Sequence, residues 1–203
     1  MSGQIEPSDT DNPFSTRRVR PGAVPFLFDG GQSAARLVER LKENGWRGQI
    51  VGPHGAGKSA LLATLIPVIE LAGRRTLLVE LHNGRRRLPA GLLRTDTPAE
   101  PTVLVVDGYE QLGRLSRFRL RRFCRRRGLG LLVTSHRPVG LPDLYRPTTD
   151  LERVERLVEH LQRDYPVQVT PEEVAERFAE EGGNLREVLF DLYDLYEARR
   201  RCQ

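Results

Sequence analysis

The sequence predicts an α/β protein: a parallel sheet of about five strands layered between helices, followed by a small helical subdomain. Three observations carry that expectation. Apolar runs of strand length alternate with helix-like stretches between Trp46 and Thr149. The octapeptide Gly52-Pro53-His54-Gly55-Ala56-Gly57-Lys58-Ser59 lies between the apolar run Gln49-Ile50-Val51 and the helix-like run Ala60 to Ala72, so a strand enters a glycine-rich turn and a helix leaves it. From Leu151 onward the pattern is purely helical.

Taken in order, Met1 to about Asn12 are polar, rich in Gly, Ser, Pro and Asp, and predict a disordered terminus. From Pro13 the mix of prolines and apolar residues through Phe28 reads as an extended surface segment. Ser33 is an N-cap candidate for a helix with Leu37, Val38 and Leu41 inward, ended by Asn44-Gly45. Trp46 anchors the edge of the first core strand. The helix after the glycine loop carries Leu61, Leu62, Leu65, Ile66, Ile69 and Leu71, with Pro67 bending it. Thr76 to Leu81 reads as a buried strand, and Thr102 to Asp107 as a continuously apolar central one. Between them, residues 83–101 hold the run Arg85-Arg86-Arg87 and the prolines Pro89, Pro98 and Pro101. They leave room for a short helix around Ala90 to Leu93, in either a functional loop or a solvated connection. Leu115 to Arg127 is a helix in which Leu115, Phe118, Leu120 and Phe123 supply apolar contacts. Leu129 to Val133 is a fourth buried strand, and Leu144 to Thr149 a fifth. Three helices follow, with Asp150 and Thr170-Pro171 as start signals and Gly182-Gly183-Asn184 as a break. The expected boundaries are 1–12 disordered, 13–149 α/β domain and 150–203 helical lid subdomain.

The octapeptide matches G-x-x-x-x-G-K-[ST] at every position. Its glycines let successive N–H groups turn toward phosphate oxygens, and the helix that follows aims its positive end at the same anion. The phosphate-binding set is therefore Gly52, Pro53, His54, Gly55, Ala56, Gly57, Lys58, Ser59 and Ala60. Lys58 reaches the β- and γ-phosphates, and Ser59 offers its hydroxyl to Mg²⁺. Lysine is scarce in this chain (Lys42 and Lys58 only), which makes its presence at that position informative. Asp107, at the carboxyl end of an apolar strand downstream, stands where a Walker B carboxylate holds Mg²⁺ opposite Ser59. Glu110 reads either as the general base for an attacking water or as a solvated carboxylate at a helix start. At the end of the fourth strand, Thr134 or Ser135 would orient that water and Arg137 would sense phosphate charge. His136 has no cysteine or histidine at metal spacing and receives no metal role.

These residues resemble those of the AAA+ and STAND branch of P-loop ATPases. The resemblance runs from about Asn12 to the C-terminus and is strongest over 48–59, 102–110 and 129–138. Asn12-Pro13-Phe14 is similar to the extended stretch that lines the adenine pocket in that group. Asp107-Gly108-Tyr109-Glu110 resembles the NACHT version of Walker B, and Leu132 to Pro138 a NACHT sensor 1 strand end with His136 as an extra residue. Gly183-Asn184-Leu185-Arg186 is similar to a sensor 2 segment. That similarity implies that Arg186 touches the γ-phosphate; the plainer reading is a surface arginine in a salt bridge. The resemblance further implies strand order 5-1-4-3-2, ATP and Mg²⁺ as cofactors, and a lid that responds to nucleotide. Gly108 stands where typical members carry an acidic residue, which implies slow hydrolysis. No N-K-x-D guanine-reading motif is present, so adenine is expected.

A net charge of +5 and a pI near 9.7 permit an anionic partner. The arginine-dense helix after Glu110 reads either as a face that tracks a phosphate backbone or as a solvated face in an arginine-rich chain. It shows no interleaved exposed aromatic and no base-reading motif. Cys124 and Cys202 fit no metal or redox spacing, the N-terminus is not a signal peptide, and no apolar run approaches membrane-spanning length. A cytoplasmic protein without a membrane partner is expected. Three functional readings follow: a slow lid-bearing ATPase, a non-hydrolysing nucleotide switch or adaptor, and a DNA-associated ATPase of loader or transposition-regulator type. A protein partner and homo-oligomerisation are compatible with all three.

Overall fold

The computed structural model describes residues 12–23, 26–81, 88–89, 92 and 100–201. The expected disordered terminus up to residue 11, the short helix at 90–93 and Cys202 lie outside the described residues. The chain folds into two compact units. A sheet unit spans Phe28–Pro53 and Lys58–Pro147; a helical unit gathers the described residues before Phe28, the loop tip His54–Gly57 and those from Thr148 on.

The sheet unit holds α2 (Ala34–Glu43), β1 (Arg47–Val51), α3 (Lys58–Leu71), β2 (Arg75–Glu80), β3 (Thr102–Asp107), α4 (Arg114–Arg126), β4 (Gly130–Ser135) and β5 (Asp143–Tyr145). The short turn α1 (Thr16–Val19) precedes them, in the helical unit. All five strands are parallel, in the order β2-β3-β4-β1-β5. This is the expected 5-1-4-3-2 read from the other edge. Every residue of β3 and β4 is buried, as central strands covered on both faces require. Side chains alternate between the two faces. Leu104, Val106, Leu131 and Val133 point to the cluster that holds Leu120 and Cys124 of α4. On the other face Leu132 and Leu144 approach Leu41 of α2, which packs along α3. Those are the three layers.

Three sequence expectations change here. The run read as a buried strand, β2, is an edge strand: Leu77 and Leu78 are each 45% exposed, and only Val79 along it is buried. It pairs on one side alone, with β3, so half its surroundings are open. On α4, Leu115 and Phe118 are exposed rather than packed, because the helix turns Leu120 and Cys124 to the sheet and carries the other two away from it. The fifth strand is also shorter and earlier than expected, Asp143–Tyr145.

The helix–strand junction before β1 explains Trp46. Gly45, at φ +63°, closes α2, with its N–H donating to the Lys42 carbonyl and the Trp46 N–H to the Leu41 carbonyl. The Trp46 carbonyl then accepts from Leu131 N–H and so sets the register of β1 on β4. The backbone of Gly130 passes so close that a β-carbon there would lie 2.9 Å from the Trp46 carbonyl oxygen, the Trp46 β-carbon and a Val103 methyl.

In the helical unit, α5 (Leu151–Gln162), α6 (Pro171–Glu180) and α7 (Leu185–Arg201) form their own core around Val154, Val158, Val174, Val188, Leu192 and Tyr196. The start signals act as read: Asp150 caps α5, and Thr170 with Glu173 forms a capping box around Pro171. The segment from Asn12 belongs to this core. Asn12, 4% exposed, donates to the Tyr193 carbonyl and the Glu197 carboxylate, and Phe14 meets Tyr196 edge to face at 6.2 Å. Gln162 acts as a surrogate strand, donating to the Val169 carbonyl and accepting the Val169 N–H.

Gly130→Ala is expected to destabilise the protein by about 1–3 kcal/mol through forced displacement of the β1–β4 junction, read by urea denaturation. Unchanged stability would show that the junction relaxes freely.

Candidate functional site

The sheet brings the sequence-predicted residues to the carboxyl ends of β1, β3 and β4. Lys58 and Ser59 open α3, so their side chains leave the loop at the start of a helix whose first N–H groups have no partner within it. The Ser59 hydroxyl donates to Asp107 Oδ2 at 2.6 Å, and the Thr134 hydroxyl to Asp107 Oδ1 at 2.5 Å. Asp107 is 6% exposed, and both its oxygens are engaged, as a buried carboxylate requires. A serine hydroxyl beside a carboxylate is the hard-oxygen donor chemistry that Mg²⁺ selects, so the residues present fit that ion.

Thr134 is fully buried. Its hydroxyl gives its proton to Asp107 and accepts the Gly108 N–H at 2.8 Å. This corrects the expectation that Thr134 orients an attacking water: its one proton is committed to the carboxylate. Ser135 is likewise turned inward, donating to the Arg137 carbonyl at 2.8 Å. The Arg137 side chain is exposed.

Gly108 has a backbone reason to be glycine. It sits at φ +79°, and a β-carbon would lie 2.5 Å from the Leu81 carbonyl oxygen. An acidic side chain at this position is sterically excluded. The chain turns through Tyr109–Gln111 instead and presents Glu110. The Glu110 Oε1 atom lies 3.2 Å from His136 Nε2, while Oε2 is buried without a donor among the described residues. Sequence reading missed His136 as a site residue. The available signal was its insertion ahead of Arg137 at a strand end, and only the fold brings it to Glu110.

Lys58 donates to the Gly52 carbonyl at 2.8 Å and the Pro53 carbonyl at 2.5 Å. Burial holds its ammonium below the usual lysine pKa, opposed by the neighbouring Glu110 and Asp107 carboxylates. Tyr109 anchors the turn from below. It is fully buried, Arg121 Nε donates to its hydroxyl at 3.1 Å, and Arg117 reaches back to the Glu110 and Leu112 carbonyls. The loop after β4 is held by Gln49, a buried β1 residue that sequence reading also passed over. Its side-chain carbonyl accepts the Val139 N–H and its amide donates to Asp143. That bond, with Arg146, keeps the Asp143 carboxyl below its ordinary pKa.

Within the helical unit, the loop tip meets the start of α7. Gly55, at φ +72°, lies so close to Asn184 that a β-carbon would fall 2.0 Å from Asn184 Oδ1, which accepts the Arg186 N–H. Gly57 faces the ring of Phe26, over which the Arg153 guanidinium lies at 5.4 Å. Phe14, expected to line an adenine pocket, is 1% exposed in the helical core. Arg186 is exposed and stacks over Phe190 at 5.7 Å, with no ion pair among the described residues. His54 and Pro53 are exposed, and Ala56 is buried. Burial pushes the Cys124 thiol up to about 11, so it is no thiolate nucleophile. Among the described residues no helix is long and apolar enough to cross a membrane.

No protein-family model and no curated protein matches this sequence. Among solved structures, the chain is similar to AMPPCP-bound DnaA from Aquifex aeolicus, with a TM-score of 0.54 at 15% identity. The match covers 86% of this chain and 63% of that one, so the chain spans less than two thirds of that protein's length. PCH-2 from C. elegans matches at a TM-score of 0.36 and 12% identity, over 82% of this chain and 66% of that one, a score too low to bear on the fold. The strand order and the DnaA match agree: this is an AAA+-type P-loop α/β fold.

Gly108→Glu installs the acidic residue typical of the resembling family. It is expected to cost at least about 1–3 kcal/mol of stability through the left-handed backbone and to bring no gain in ATP turnover. Thermal melting and phosphate release check both.

Proposed function

We propose that this chain binds ATP with Mg²⁺ and hydrolyses it slowly to ADP and phosphate, with its helical unit acting as a nucleotide-responsive lid. The observation that carries the reading is the Ser59–Asp107–Thr134 cluster beside Lys58, directly behind a complete G-x-x-x-x-G-K-S loop. Ser59 and Asp107 would hold the ion. Bound Mg²⁺ would neutralise phosphate charge as it develops.

The residues divide the remaining work. The backbone N–H groups of Gly55 to Ala60 receive the phosphate oxygens. Lys58 exchanges two carbonyl partners for phosphate, a gain because an anion stabilises the charge that burial disfavours. Thr134 holds Asp107 and thereby keeps its second oxygen directed at Ser59; it positions the carboxylate and does not touch the substrate. Glu110 accepts the proton of the attacking water, with His136 beside its Oε1 atom. Arg137, exposed just past the end of β4, is the cation assigned to the γ-phosphate. The loop tip packs on Asn184 and Leu185 at the start of α7, so a change in the loop's backbone on nucleotide binding is felt by the helices. That contact supports the lid assignment.

Gly108, a glycine where an acidic residue is typical, would favour a non-hydrolysing switch if chemistry alone set its identity. Its left-handed backbone and the Leu81 carbonyl account for the glycine without reference to catalysis. Hydrolysis with Glu110 as base is therefore the preferred reading.

Lys58→Ala is expected to weaken ATP binding about 10- to 100-fold, measured by calorimetry with Mg²⁺. Glu110→Gln is expected to keep the affinity and lower phosphate release about 10²- to 10⁴-fold. Full turnover in Glu110→Gln removes that residue from the chemistry. Tight ATP binding with no phosphate release by the unaltered protein makes the chain a switch.

A further inference from the structure

The outer face of α4 has no role in the site just described, and its chemistry is one-sided. The helix carries seven arginines and no acidic residue. Two of the seven serve the fold: Arg117 holds the Glu110 and Leu112 carbonyls, and Arg121 holds Tyr109 and the Val139 carbonyl. The other five, Arg114, Arg119, Arg122, Arg125 and Arg126, are exposed and make no ion pair among the described residues. Leu115 and Phe118 are exposed with them, at 61% and 57%. At 3.6 residues per turn these seven positions share an arc of about 140°, and Leu120 and Cys124 lie outside it. The arc is about 18 Å long, with arginine neighbours at i, i+3 and i, i+4 spacing, about 5–6 Å apart at Cβ.

The geometry decides what such a surface fits. Five guanidiniums spread along a convex helix do not converge on one point, so they do not build a site for a small anion. They match an extended polyanion with many charges. Membrane docking is disfavoured because only two apolar side chains are offered, and Leu120 and Cys124 pin the helix to the sheet. Phe118 lies within the arginine arc, where an aromatic face stacks on a base that is free of its complement; in a duplex those faces are occupied.

We propose that the exposed face of α4 binds single-stranded nucleic acid, with Arg114, Arg119, Arg122, Arg125 and Arg126 on backbone phosphates and Phe118 stacked on a base. This proposal goes beyond the nucleotide reading and does not require it; a chain that failed to bind ATP would leave it standing.

The test is fluorescence anisotropy of the whole chain with labelled dT20, a 20-base-pair duplex and a ribonucleotide 20-mer, across salt. Five neutralised phosphates predict a log–log salt slope of about −3.5 for dT20, roughly a hundredfold loss between 50 and 200 mM salt. The triple variant Arg119→Glu, Arg122→Glu, Arg126→Glu is expected to abolish binding while keeping its melting temperature and ATP affinity, since all three positions are exposed. Phe118→Ala is expected to weaken dT20 about 5- to 100-fold with the slope unchanged. A preference for the ribonucleotide over dT20 keeps the proposal and names the strand type. Absence of dT20 binding at low salt overturns it, as does binding that survives the triple variant. Equal or tighter duplex binding with no effect of Phe118→Ala overturns the single-strand assignment. Binding to phosphatidylserine vesicles but not to dT20 assigns the face to a membrane surface and overturns the proposal.

Discussion

The structure around the glycine loop depends on how Asp107 is held. A carboxylate this deeply buried is tolerated only when its oxygens are matched by donors, and here the donors come from two different elements. Ser59 reaches it from the first turn of α3 and Thr134 from the end of β4. One side chain thus ties the loop's exit helix to the two central strands. The left-handed turn at Gly108 completes the corner by giving its N–H to the same Thr134 hydroxyl, and the neighbouring Leu81 carbonyl leaves no room for a side chain. The glycine at this position is a steric consequence of that corner.

The same corner sets where Glu110 can be. Without a side chain at Gly108, the next acidic residue is presented by the turn Tyr109–Gln111, braced by Tyr109 beneath and by Arg117 on the Glu110 carbonyl. His136 then meets Glu110 from just beyond the carboxyl end of the neighbouring strand β4. Glu110, two places beyond Gly108, is presented there because the backbone turns at the glycine. Gln49 plays the comparable part on the other side of β4, clamping the loop of Val139 to Leu141 with one buried amide.

Arginine dominates this chain's cations, and its composition says little about what each one does. On α4 the residues at helix positions facing the sheet brace carbonyls and a tyrosine ring, while those a third of a turn away meet solvent. A compositional bias and a functional surface are indistinguishable in the one-dimensional sequence. They separate only when the helix is oriented by Leu120 and Cys124.

Local patterns made the sequence legible wherever one element carried its own signal. The glycine loop between an apolar run and a helix, the capping box at Thr170 and the all-apolar strands β3 and β4 are short-range features, and the structure keeps them. The strand order followed from resemblance and was also legible. What tertiary structure alone decided are matters of pairing and facing. Leu77 and Leu78 are exposed because β2 has one neighbour, Phe14 is core because Asn12 ties it to α7, and Thr134 turns its proton to Asp107. His136 and Glu110, 26 positions apart, become partners only through the parallel register of β3 and β4. Periodicity records which side of an element is apolar; what lies opposite that side is set by contacts distant along the chain, and no local pattern encodes them.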